Sequence, residues 1–198
     1  MDDYFTVFGL PRKLALDEGE LQRRFYDLSR RCHPDFHQAG TAAEQAAALG
    51  ASARVNRAYR ALREPLSRVE YLIALEDGSD ASEGARDTPV APPELLAEMM
   101  DVQEALEETR AAGLDANGRA ALDAQRQRLC ARYNAEYEAI VSRMADWDAA
   151  EEGAATRRAL LAWFRQRLAT RAYLGTVIGD LREALGEDDD RHGAHRRH

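Results

Sequence analysis

The residues with most chemical potential gather in one run, Arg30-Arg31-Cys32-His33-Pro34-Asp35. A histidine and a carboxylate this close could share a proton, and Cys32, His33 and His37 could in principle ligate a metal. Both readings are disfavoured. General acid–base work needs a base oriented by a third group in a pocket that excludes water. A short polar tip supplies neither. A metal would need a fourth ligand and a geometry compatible with Pro34. Iron–sulfur ligation usually takes four thiolates, and the chain has two cysteines, Cys32 and Cys130. No catalytic residue, metal ligand or cofactor is therefore assigned. Pro34 has no N–H and biases His33 away from helical dihedrals. The run predicts a helix that ends by presenting His33-Pro34-Asp35 to solvent, as a contact made for another protein.

The element that positions this tip is legible from periodicity. Asp17 and Glu20 form a capping-box-like start. Leu21, Phe25, Leu28 and Cys32 then follow at helical spacing, with Arg23, Arg24, Arg30 and Arg31 off the apolar stripe. The helix spans about 16 residues, or roughly 24 Å. Ahead of it, Tyr4 to Leu10 is a short apolar run that predicts one or two packed turns. Beyond the tip, Thr41 and Glu44 predict a second cap. An alanine-rich helix follows, with Leu49, Val55, Ala58, Tyr59 and Leu62 on its apolar face and Gly50 read through. Pro65 suits the first turn of a further helix that buries Leu66, Val69, Leu72 and Ile73. These elements predict an antiparallel helical hairpin closed by short flanking helices.

Residues 76–93 change to Gly, Ser, Asp and Pro, which reads as a linker. Three helical stripes follow. Leu95, Met99, Val102 and Leu106 form the first. Leu122, Leu129, Tyr133, Ile140, Met144 and Trp147 form the second, expected as one helix over about 119–148. Leu161, Phe164, Leu168, Ile178, Leu181 and Leu185 form the third. Short connections predict a three-helix bundle. Residues 186–198 are charged, without apolar periodicity, and are expected to be disordered. The expected layout is all-α: residues 1–75, a linker over 76–93, a bundle over 94–185, and a tail over 186–198.

Composition narrows the partners. The chain has 198 residues and a net charge of −8, which argues against a general nucleic-acid binder. Residues 1–75 carry 11 basic against 10 acidic side chains, and the remainder 16 against 25. The acidic balance therefore lies in the C-terminal part. The acidic start lacks the features of a signal peptide, and no run approaches the length of a membrane span. Two cysteines without metal or redox spacing fit a reduced compartment. The expectation is a soluble, cytoplasmic chain with no membrane partner.

Several elements in register now resemble a J domain, the module with which co-chaperones engage DnaK/HscA-class chaperones. They are Tyr4-Phe5 to Leu10-Pro11, the basic helix from Leu21 to Cys32, His33-Pro34-Asp35, and Asn56-Arg57-Ala58-Tyr59 with Leu62 and Pro65. The opening Tyr-Phe-x-x-Phe-Gly-Leu-Pro, the stretch Pro65-Leu66-Ser67-Arg68-Val69-Glu70-Tyr71-Leu72 and the helical C-terminal part resemble one family in particular. That family is HscB, the J-type co-chaperone of iron–sulfur cluster assembly. The resemblance covers about residues 2–185 and is strongest in the first 75.

The resemblance implies a non-enzymatic protein that stimulates ATP hydrolysis by a DnaK/HscA-type chaperone and delivers the scaffold protein IscU to it. It assigns chaperone contact to His33, Pro34 and Asp35, with Arg23, Arg24, Arg30 and Arg31 steering. It assigns scaffold contact to Leu96, Met100, Asp101, Glu104 and Phe164. The sequence departs from the family pattern at three places. Cys32 stands where an aromatic is usual, Phe36-His37 where a basic residue is common, and Ala97 where a larger apolar contact is frequent. A J-domain protein serving another client, or a helical interaction protein with an inactive J domain, remain the alternatives.

Overall fold

The computed structural model describes residues 3–37, 40–78, 93–151 and 153–187, and all regular structure among them is helical. The elements are α1 (Tyr4–Val7), α2 (Glu18–Arg31), a 3-10 turn at Pro34–His37, α3 (Ala42–Arg63), α4 (Pro65–Glu76), α5 (Pro93–Ala112), α6 (Ala116–Ser142), α7 (Met144–Ala149) and α8 (Ala155–Leu185). The chain divides into two compact units, Met1–Ala85 with Val141–Leu161, and Arg86–Ile140 with Ala162–His198.

In the first unit the expected caps form. The Asp17 carboxylate accepts the Glu20 N–H at 3.0 Å. Thr41 and Glu44 make the reciprocal box, with the Thr41 N–H donating to Glu44 Oε2 at 2.7 Å and the Glu44 N–H to Thr41 Oγ1 at 3.3 Å. Each satisfies amides that a helix start leaves orphaned. Pro65 takes the first turn of α4. The core joins Phe5, Phe8, Leu21, Val55, Ala58, Leu62 and Tyr71. Phe25 stacks on Tyr59 at 4.0 Å between ring centroids, which ties α2 to α3.

Leu49 departs from expectation: it is 62% exposed, and Ala48 is buried in its place. Positions 48, 55 and 62 recur every seven residues and so share one face. Leu49 lies about 100° away from them. Leu66 and Ile73 are only half-buried, whereas Arg68 and Tyr71, absent from the expected stripe, are buried.

Arg68 and Tyr71 anchor the segments on either side of α1. Tyr71 Oη accepts the Tyr4 N–H at 2.7 Å, and the two rings stack at 4.5 Å. Burial pushes the Tyr71 hydroxyl up to about 12. Asp3 caps α1 by accepting the Thr6 N–H at 2.8 Å, and it pairs with Arg12. Burial alone would raise the Asp3 pKa, but the Thr6 amide and the Arg12 guanidinium bring it below the usual carboxylate value. Arg68, 2% exposed, donates to the carbonyls of Leu62 (2.7 Å), Arg63 (3.3 Å) and Leu14. The Asp148 carboxylate of α7 accepts the N–H groups of Leu14 (2.7 Å) and Ala15 (2.9 Å). The loop between α1 and α2 is thus held from both sides.

In the second unit Val102, Leu106, Leu122, Leu129, Leu174, Val177, Ile178, Leu181 and Leu185 form the core. Glu136 is buried, and both of its carboxylate oxygens accept from Arg167 Nη1, each at 3.0 Å. Arg171 lies over the Tyr133 ring at 3.4 Å and donates to the Tyr133 carbonyl.

The helix expected over 119–148 is broken. α6 ends at Ser142 and α7 begins at Met144, with Arg143 at φ −100°, ψ 4°. No Gly or Pro marks the break, and the apolar spacing runs through it. The third helix starts at Ala155, two turns before its first expected stripe residue. The expected linker residues 79–92 and tail residues 188–198 lie outside the described residues.

Candidate protein-docking surfaces

Arg30 and Arg31 occupy the last turn of α2, where the partial negative charge of the helix C-terminus favours cations. The helix closes with the Cys32 N–H donating to the Leu28 carbonyl at 2.9 Å. His33 follows, and Pro34 opens a 3-10 turn rather than an irregular loop. Within it the Phe36 N–H donates to the His33 carbonyl at 3.1 Å.

The Asp35 N–H donates to His33 Nδ1 at 3.2 Å. Nδ1 is thereby the acceptor, so the ring proton sits on Nε2, the far nitrogen. One Asp35 carboxylate oxygen lies 3.5 Å from His33 Nδ1, with side chains 53% and 70% exposed respectively. Both side chains of the pair face water. Its chemistry is recognition: a half-exposed imidazole and an exposed carboxylate on one short turn.

The four arginines do not form one surface. Arg24 donates from Nε and Nη2 to Glu20 Oε1 (3.1 and 2.6 Å) and from Nη1 to the carbonyls of Phe8 (2.6 Å) and Gly9 (2.9 Å). Gly9 sits at φ +61°, and a Cβ there would lie 3.1 Å from Arg24 Nη1. Glycine therefore permits both the left-handed turn and the close approach of the guanidinium. Arg24 is a clamp on the loop after α1. Arg23, Arg30 and Arg31 are exposed, and Arg23 and Arg30 lie seven residues apart on one face. Tyr26, 60% exposed, stands beside that face.

On α5, Leu96 (41% exposed) and Met100 (72% exposed) lie four residues apart, and Glu104 continues the same face with Asp101 beside it. Asp101 and Glu104 are exposed, while Val102 and Leu106 turn into the core. Exposed apolar area rimmed by carboxylates is the composition of a docking ridge. Ala97 is also exposed. Phe164 differs. It is 0% exposed and packs edge-on to Trp163 at 5.5 Å. The structure does not bring it to the surface with Leu96 and Met100. Its place in an apolar stripe was the available signal. Leu95 lies outside the residues whose side chains are described.

Phe36, a departure from the family pattern, was assigned no contact from the sequence. It is 70% exposed and stands edge-on to His33, at 6.2 Å between ring centroids. Its proximity in sequence to the tip was the one clue.

A basic helix, a turn carrying His33, Pro34 and Asp35, and an antiparallel partner helix, followed by an all-helical C-terminal part, define the class as a J-domain protein with a C-terminal helical domain. Residues 91–158 match the family model of the HSCB C-terminal oligomerisation domain. The fold is similar to that of chaperone HscB from Vibrio cholerae, with a TM-score of 0.63 at 24% identity over 94% of this chain and 99% of that one. It is likewise similar to human co-chaperone protein HscB, with a TM-score of 0.62 at 23% identity over 92% of this chain and 82% of that one. The domain match is confined to residues 91–158, and along the rest of the chain it is the fold that is shared with these two HscB structures. No described helix is long and apolar enough to cross a membrane.

Proposed function

We propose that this chain is a cytoplasmic co-chaperone of iron–sulfur cluster assembly. In this reading it stimulates ATP hydrolysis by a DnaK/HscA-type chaperone and delivers an IscU-type scaffold to it, without a cofactor or catalytic step of its own. Residues 1–75 act as the J domain and 94–185 as the scaffold-binding part, joined by 76–93 and followed by the tail 186–198.

The observation that carries this reading is the exposed His33–Asp35 turn at the end of an arginine-bearing helix. Its carboxylate is placed for a charge-assisted bond to a partner arginine. The fixed turn lowers the ordering cost of docking. Arg23, Arg30 and Arg31 accelerate encounter with an acidic chaperone surface, an effect that weakens as salt rises. Arg24 supports the docking face by holding the loop after α1.

The scaffold surface is Leu96 and Met100 with Asp101 and Glu104. Replacing Leu96 and Met100 together by Ala removes its apolar part without touching the buried stripe. Scaffold affinity by calorimetry is expected to fall about 10- to 100-fold, as for loss of central interface side chains. An unchanged dissociation constant would refute the assignment of α5.

A further inference from the structure

We propose that Phe36 and the uncharged stretch 45–53 of α3 form a second docking subsite beside the His33–Asp35 turn, one that takes an uncharged, aliphatic segment of the same chaperone. This rests on the chaperone-docking reading above.

An open groove of about 550 Å³ lies between the end of α2, the 3-10 turn and α3. Cys32, Phe36, Ala47, Ala48 and Ala51 line it, with Arg31 and Glu44 among its bordering residues. The volume is that of a site for a small ligand or a few side chains.

Two features define what fits. The nine residues 45–53, Gln-Ala-Ala-Ala-Leu-Gly-Ala-Ser-Ala, contain no ionisable side chain. Of residues 42–50 only Ala48 is buried, so this half of α3 presents small apolar side chains to solvent. A charged segment laid on that surface would lose hydration with no counter-ion along the alanines. An aliphatic one would fill the room that they leave and cover the Phe36 ring.

The partner is fixed by position. The Phe36 ring stands edge-on to the His33 ring at 6.2 Å between centroids and lines the groove, so a body seated on the turn lies beside the ring. The tip thus separates a cationic surface on α2, which steers, from an uncharged one on α3, which holds.

The test titrates full-length protein against the chaperone's ATP turnover at low and high salt, for wild type, Phe36→Ala, Phe36→Leu and His33→Gln. Phe36→Ala is expected to raise the half-saturating concentration about tenfold, by the same factor at both salts because the lost contact is apolar. Phe36→Leu restores most of the loss. Superimposable curves for Phe36→Ala and wild type, with His33→Gln inactive, would overturn the subsite and leave the co-chaperone reading standing. Stimulation by His33→Gln equal to wild type would overturn that reading itself. A concentration-dependent dimer in sedimentation that Phe36→Ala abolishes would give the groove to a second copy of the chain and overturn its assignment to the chaperone.

Discussion

His33→Gln is expected to abolish stimulation of the chaperone's ATP turnover while leaving thermal unfolding almost unchanged. The imidazole is about half exposed, and its contacts are local, to the Asp35 amide and the edge of Phe36. Exposed substitutions of this kind usually change stability by about 0.5 kcal/mol or less. What is lost is the exposed imidazole at its reach from the turn. Turnover should fall to the chaperone's basal rate at every concentration tested. Asp35→Asn should behave alike, because a neutral amide cannot make the charge-assisted bond. A melt displaced by many degrees would instead make His33 a structural residue. Unfolding followed by circular dichroism, beside the turnover assay, separates the two outcomes.

Arg68→Ala is expected to act in the opposite sense, on the fold first. The side chain is buried and donates to carbonyls of Leu14, Leu62 and Arg63. Truncation leaves these acceptors without that donor where water does not replace it fully, at about 1–3 kcal/mol for each buried unsatisfied group. Because the space partly relaxes, a total near 3 to 5 kcal/mol is expected. For a chain of this size that lowers the melting temperature by about 10 °C. The loss should appear as a lower urea midpoint for the first unit. A change below about 1 kcal/mol would show that solvent satisfies these carbonyls and that the Arg68 network is not what holds the loop after α1.

Much of the first unit was legible in the sequence because its signals are local. Asp17 with Glu20, Thr41 with Glu44, and Pro65 each act within one helical turn, and each forms as its spacing predicts. The exposed tip was legible for the same reason, since Pro34 acts on its own neighbours. What escaped is long-range. The Asp148 carboxylate meets the Leu14 N–H across 134 positions, and no periodicity encodes that meeting. Arg68 carries no local signal for its burial, because its carbonyl partners at Leu14, Leu62 and Arg63 are brought together only by the fold. Arg24 read as one of a basic series, yet its donors turn toward Phe8 and Gly9.

Apolar pattern alone also misplaced the border between core and surface. Leu49, expected on the apolar face, is exposed; Phe164 is buried as its stripe predicts, and it was the resemblance that gave it a partner contact. The break at Arg143 left no trace because the stripe continues on both sides of it. Of the docking surfaces, Leu96 and Met100 stand out as exposed apolar side chains on a helix whose core stripe is already filled.

The most direct test of the co-chaperone reading is steady-state ATP turnover by the cognate chaperone with scaffold alone, with this protein alone, and with both. This protein alone should raise turnover. Both together should raise it by more than the sum of the separate effects, because one chain docks on the chaperone and brings the scaffold to it. Turnover that stays at the basal rate in all three mixtures, with the protein folded and in excess, would contradict the account.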